Sequence, residues 1–222
     1  MTMPRTVEPE LMDDAEQAAA YDAADFSHSH SQRVTLFERC FARPLSGTVL
    51  DLGCGSGDVL ERFAKKFTAA KFIGIDGSAP MLDLAEGRID SANLSSRVSF
   101  AQAFIPSPDI PKNDYTVIMS HSLLHHLHEP AVLWQTIKEH ACPGTFIFVA
   151  DLRRPESESA AQHLIDTLAG NEPEVLRRDF YNSLCAAFTA DEIKHQLDAA
   201  GLQDLRVEET GDIHVLAHGF LR

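Results

Sequence analysis

The sequence has no uninterrupted stretch of about 18 apolar residues, so no segment reads as a membrane-spanning helix. Its first residues, Met1 to Glu16, lack the apolar core of a secretory signal. Without a targeting segment the default compartment is the cytoplasm. Cysteine is sparse: Cys40, Cys54, Cys142 and Cys185 stand far apart, with no CxxC pair and no metal-ligand spacing. That pattern excludes a disulfide framework and leaves reduced thiols in a core or a site wall. Basic residues are in deficit, 19 Lys and Arg against 33 Asp and Glu, for a net charge of −14. Such a surface repels phosphate backbones and anionic membranes, which disfavours nucleic acid and a membrane as partners. No Gly-Lys pair occurs anywhere, so a phosphate-binding P-loop is excluded. There is no internal repeat and no low-complexity segment.

What is present suits one well-filled α/β domain, as a monomer or homodimer. The chain has 222 residues and 44% hydrophobic content. Residues 1–10 are polar and read as frayed. Residues 1–43 are expected to form an N-terminal helical cap, with two helices from about 11 to 43 separated by a polar break at Ser27 to Ser31. From residue 44 onward, short apolar runs alternate with helical patterns, the signature of βαβ units. Strands are predicted at Val49–Leu52, Phe72–Ile75, Val98–Ala101, Thr116–Ser120 and Phe146–Ala150. These runs are apolar on both sides, as strands covered on both faces should be. Val59, Leu60, Phe63, Ala64 and Phe67 repeat at helical spacing, as do Leu133, Trp134, Ile137 and Ala141 after Pro130. A helical insertion at about 152–188 follows the fifth strand and is expected to close over the site as a lid. Thr189 and Glu192 predict a capping box, and Gly201 closes the helix it opens. Two last strands, Leu205–Glu208 and Ile213–Phe220, flank Gly211-Asp212, which reads as a hairpin turn. The expected fold is a Rossmann-like α/β domain: a mostly parallel seven-stranded sheet, helices on both faces and an antiparallel C-terminal hairpin strand.

The strongest local signal is Val49-Leu50-Asp51-Leu52-Gly53-Cys54-Gly55-Ser56-Gly57. A buried strand runs into three glycines and then a helix, so the backbone can turn sharply and a ligand can approach it closely. The second is Ile73-Gly74-Ile75-Asp76, which ends the next strand nineteen positions after Gly57. A carboxylate there offers two acceptor oxygens to the two vicinal hydroxyls of a ribose. Together they point to an adenosine-containing ligand. The dinucleotide fingerprint needs a further glycine, but Asp58 and Leu60 occupy that position in the two possible registers. No tyrosine has a lysine four positions on, which also counts against a nicotinamide oxidoreductase.

The glycine segment resembles the first motif of class I S-adenosylmethionine-dependent methyltransferases. The likeness continues through Gly74 to Met81, through Ile118 to Leu127, and through Pro143-Gly144-Thr145. It implies S-adenosylmethionine as cofactor and methyl transfer as the reaction; the acidity and the single-domain build favour a small-molecule acceptor. RNA or protein methylation and a non-catalytic cofactor-binding protein are the alternatives. The resemblance implies that Gly53, Gly55 and Ser56 hold the methionine part and that Asp51 orients the loop or meets the ammonium. It implies that Asp76 with Gly77 binds the ribose, that Met81 packs near the adenine, and that Gln102, Ala103 and Phe104 flank the ring. The resemblance also implies that Ser120 and His121 line the cofactor from the fourth strand. Many relatives carry an acidic residue at the position of Ala103 or Phe104, and this chain does not.

His121 and His125 stand four apart, which on a helix would place them on one face, as in some zinc sites. No acidic or cysteine ligand accompanies them at metal spacing, and no metal is expected. On chemistry alone they are the best general-base candidates, with Tyr181 a third catalytic candidate. Arg153 and Arg154 either grip an anionic substrate or form a surface cluster with Glu156 and Glu158. Tyr181 and Asn182 either face the substrate or, for the tyrosine, belong to a helix core.

Overall fold

Every core strand feeds side chains alternately to two helical layers, and this alternation decides where the polar residues at the strand ends point. The computed structural model describes residues 3–8 and 27–222, with side chains from residue 30 in the longer stretch. The elements are α1 (Ser27–Phe41), β1 (Gly47–Leu52), α2 (Asp58–Lys66), β2 (Ala70–Asp76), α3 (Ala79–Ser91), β3 (Val98–Gln102) and β4 (Tyr115–His121). A 3₁₀ turn, Leu124–His126, then precedes α4 (Ala131–His140), β5 (Phe146–Leu152), α5 (Glu158–Leu168), α6 (Glu174–Ala186), α7 (Ala190–Ala200), β6 (Arg206–Thr210) and β7 (His214–Phe220).

The seven strands form one sheet in the order β3-β2-β1-β4-β5-β7-β6. The first five pair in parallel, and β7 runs antiparallel to both β5 and β6. The expected fold class is therefore the observed one. The predicted strands all form, most of them a residue or two longer than their apolar runs. The Thr189 capping box forms, and Gly201 ends α7 in the left-handed conformation at φ 73°.

Val49, Val117, Met119, Phe146, Phe148 and Ala150 face the layer of α1, α2 and α3. Phe37 of α1 anchors that side, its ring 5.2 Å from Phe63 and 5.3 Å from Phe148. Leu50, Leu52, Ile118, Ile147 and Val149 face the other layer, with Trp134 and Ile137 of α4 and Ile193 and Leu197 of α7. A smaller cluster, Leu152, Ile165, Leu184 and Ala187, seats α5 and α6 against the end of β5. Among the described residues no helix is long and apolar enough to cross a membrane.

Two expectations change. The polar run from Ser27 to Ser31 lies inside α1 rather than between helices. It contains neither proline nor glycine, and polarity alone breaks no helix. The helix expected before it lies outside the described residues. The first residues are also not frayed where described. Met3 N–H donates to the Glu156 carbonyl at 3.2 Å, and Thr6 N–H to Cys185 at 3.1 Å. Arg5 donates to the carbonyls of Ala186, His125 and Leu127 at 2.6–2.9 Å and stacks 4.0 Å above the Phe188 ring. One guanidinium thus ties residues 3–8 to α6 and to the loop after β4, which composition could not reveal.

Candidate functional site at the carboxyl ends of the strands

The loop after β1 is built around its glycines. Gly53, Gly55 and Gly57 have φ of 73°, 52° and 75°, the left-handed region that side chains disfavour. A Cβ on Gly53 would meet the Leu123 side chain at 2.9 Å, and one on Gly57 would meet Ala85 at 3.0 Å. Gly55 differs: a Cβ there would meet nothing within 4 Å. Its open face is a place for something to approach the backbone.

Asp76 locks this loop to the next strand. Its Oδ2 accepts from Gly55 N–H at 2.8 Å, and its Oδ1 from Ser78 N–H at 2.9 Å. Each oxygen keeps a lone pair for a further donor. Burial raises its pKa despite these backbone bonds. The Ala103 N–H donates to the Asp76 carbonyl, and Gln102 Nε2 donates to the Gly77 carbonyl at 3.0 Å. Met81 is buried at the start of α3, and Phe104 leaves 62% of its surface exposed beside this edge. Ser56 is buried in the loop, and the Ser120 hydroxyl donates to the Leu52 carbonyl at 2.8 Å.

Asp51 lies on the face turned toward α1–α3, one residue before the end of β1. It is 1% exposed, and its Oδ1 makes no hydrogen bond. Burial, with the Asp76 charge nearby, pushes its pKa well above the usual carboxylate range. A buried, unpaired carboxylate is costly, and a cation beside it would relieve the cost.

His121 and His125 do not share a face. His121 ends β4, and Ser122 follows in the left-handed region at φ 52°, turning the chain. His121 faces Phe63 and Phe148, with neither ring nitrogen hydrogen-bonded. Burial, then the charges of Arg33 and His30, hold its pKa well down, so the ring is neutral. His125, in the 3₁₀ turn, lies on the opposite side against Asp151. Its Nδ1 stands 2.5 Å from Asp151 Oδ1, and its Nε2 stands 3.4 Å from Glu8 Oε1. Burial alone would lower the imidazole and raise the carboxyl. Their mutual charge and hydrogen bond outweigh it, so His125 is raised and Asp151 lowered. Nothing local in the sequence pairs Asp151 or Glu8 with His125.

The arginines have structural partners. Arg154 is buried, donating to the Ala187 carbonyl at 2.8 Å and to Glu192 at 2.5 Å. Arg153 donates to the Asp212 carbonyl at 2.8 Å, with Glu209 at 3.6 Å. The neighbours expected for them, Glu156 and Glu158, are not these partners. Tyr181 packs against the Leu152–Leu184 cluster near Cys185, and Asn182 is exposed on α6.

His214, at the start of β7, adds a pH handle. Burial, then the Arg33 charge, pushes its pKa from 6.5 down to about 3. The folded ring stays neutral while the unfolded chain takes up a proton, so stability falls as pH drops from 6.5 toward 3. Between pH 6.5 and 5 this one group removes about 2 kcal/mol. Urea denaturation of His214→Gln should therefore show a shallower loss over that interval than the unaltered chain. Parallel profiles would contradict the assignment.

A family profile described as "Methyltransferase domain" matches residues 16–207. The chain belongs to that family. Over 104 residues this methyltransferase domain is 27% identical to an uncharacterised methyltransferase of Schizosaccharomyces pombe, covering 45% of this chain and 37% of that protein. It is 28% identical over 163 residues to a trans-aconitate 2-methyltransferase of Methylobacterium nodulans, covering 72% and 59%. Both matches span less than two thirds of the relative's length. Among solved structures, the plantazolicin methyltransferase BpumL in complex with SAH superposes with TM-score 0.71 at 16% identity, covering 94% of this chain and 91% of that one. A SAM dependent methyltransferase from Aquifex aeolicus superposes with TM-score 0.65 at 20% identity, covering 92% and 98%. At these identities the likeness is one of fold.

Proposed function

We propose that this methyltransferase domain transfers a methyl group from S-adenosylmethionine to a small, anionic acceptor. The observation that carries the reading is the Asp51 carboxylate oxygen, buried and without a hydrogen bond, on the strand that leads into the open backbone of Gly55. That pair suits a ligand that brings an ammonium group onto a bare backbone. Asp76, with lone pairs to spare, suits the ribose hydroxyls, and the exposed Phe104 ring suits stacking on adenine. When bound, the cofactor supplies a methyl group on a cationic sulfur, open to in-line displacement.

The protein's task is then alignment and exclusion of water, and alignment alone is worth about 7–11 kcal/mol. The β1 loop and Asp76 fix one reactant. The acceptor lies on the α1 side of the strand ends, where Arg33 is buried and depresses both His121 and His214. An anionic acceptor is in keeping with the trans-aconitate named for one relative. His121 is neutral and can accept a proton from a hydroxyl or amine nucleophile; a carboxylate oxygen needs no base. His125 is spent on Asp151 and Glu8. Helices α5 and α6, seated at the end of β5, form the lid.

The charge pattern supports a small molecule over RNA or protein. Arg177 and Arg178 face Asp166 and Asp179 at 3.1 and 3.4 Å, and with Arg153 and Arg154 already paired they make no basic face.

Substitution tests the cofactor site. Asp51→Asn removes a buried carboxyl that has no partner in the free protein. It should leave thermal stability unchanged or higher while weakening S-adenosylhomocysteine binding at least about tenfold by calorimetry. Full-strength binding by the variant would remove Asp51 from the site.

A further inference from the structure

We propose that Glu8, His125 and His126 form a binding site for a zinc-type divalent cation, which pins residues 3–8 to the loop after β4. One donor atom from each residue, Glu8 Oε1, His125 Nε2 and His126 Nδ1, lies within 4.8 Å of the other two. Glu8 Oε1 stands 3.4 Å from each of the two nitrogens. That is long for a charge-assisted hydrogen bond, which closes to about 2.7–2.9 Å. It matches the edge of a coordination tetrahedron. Bonds of about 2.0–2.2 Å at tetrahedral angles put neighbouring donors roughly 3.3–3.6 Å apart.

The surrounding contacts orient the donors. Glu8 Oε2 accepts from the Ser183 hydroxyl at 3.2 Å, which leaves Oε1 turned to the two rings, buried and without a hydrogen bond. The Glu8 side chain is 10% exposed and that of His125 3%. His125 Nδ1–H donates to Asp151, so Nε2 is the nitrogen turned to Glu8, and an incoming cation would take the place of its proton. A carboxylate behind a ligating imidazole is the usual outer support of a metal-bound histidine, fixing both tautomer and ring orientation. The His126 side chain is 22% exposed and gives the ion a route in, with a water completing the fourth position. The donor set of two imidazoles and one carboxylate selects zinc over magnesium or calcium.

The ion's role is structural. The reacting groups of the proposed site lie on the other face of the sheet, with Asp51 and His121. The cation would add a coordinate clasp to the hydrogen bonds by which Arg5 already holds the carbonyls of His125 and Leu127.

The test uses the full chain, stripped with a chelator, dialysed and titrated with zinc chloride, with bound metal counted by elemental analysis. One tight equivalent per chain is expected. Glu8→Gln and His126→Asn should each weaken it at least about tenfold, and His195→Asn, an exposed histidine elsewhere, should not. Cobalt(II) in place of zinc should give the intense visible bands of four-coordinate geometry, lost in Glu8→Gln. Unchanged melting of the chelated variants would confirm that they fold. Absence of tight zinc, or tight zinc that survives both substitutions, would overturn the site.

Discussion

Asp76→Ala should weaken S-adenosylmethionine binding by about ten- to a hundredfold. The carboxylate has two jobs. It holds Gly55 N–H and Ser78 N–H, fixing the β1 loop against the start of α3. Its remaining lone pairs are the proposed acceptors for the ribose hydroxyls. Hydrogen bonds to a charged group are worth about 1.5–3 kcal/mol each, so losing even one at the ligand gives this range. Asp76→Asn separates the two jobs. Its carbonyl oxygen can keep one backbone bond, but its amide nitrogen cannot accept from Gly55, Ser78 or a hydroxyl. Calorimetry with S-adenosylhomocysteine should show Asn intermediate or as poor as Ala. Affinity unchanged in both would sink the ribose assignment and leave Asp76 as a loop brace.

Asp151→Ala should destabilise the fold by about 3–5 kcal/mol, the usual cost of stripping one partner from a buried charged pair. Asp151 accepts from Leu124 N–H at 2.7 Å and from Leu152 N–H at 2.6 Å, besides the His125 ring at 2.5 Å. All of these donors are buried, and no water can replace the lost acceptor cheaply. For a chain of this size the melting temperature should fall on the order of 10 °C. Asp151→Asn, which keeps an acceptor oxygen, should cost less. A shift within a degree or two for the alanine variant would mean the turn after β4 is held by something else.

The strands were legible because burial on both faces writes short apolar runs that little else imitates. The glycine loop and its brace by Asp76 were legible because left-handed backbone and close approach demand particular residue types at a set distance along the chain. The hairpin at Gly211-Asp212 and the capping box at Thr189 were legible for the same local reason. Partnerships made across the fold were not. Glu8 sits in a polar terminus whose composition suggests fraying, yet Arg5 docks it more than a hundred residues away on the 3₁₀ turn. The four-residue spacing of His121 and His125 suggested one helical face, but a strand end and the positive φ of Ser122 send them to opposite sides. For Arg153 and Arg154 the sequence leaves open a substrate anion or the nearby Glu156 and Glu158, whereas the antiparallel β6–β7 pair and α7 supply Glu209 and Glu192.

Methyl-label transfer tests the central claim most directly. Purified protein and labelled S-adenosylmethionine would be incubated with cell extract, and the products split into small-molecule, RNA and protein fractions. Label in acidic small molecules is the predicted result. Label confined to RNA or protein, or no transfer by a protein that binds the cofactor, would contradict it.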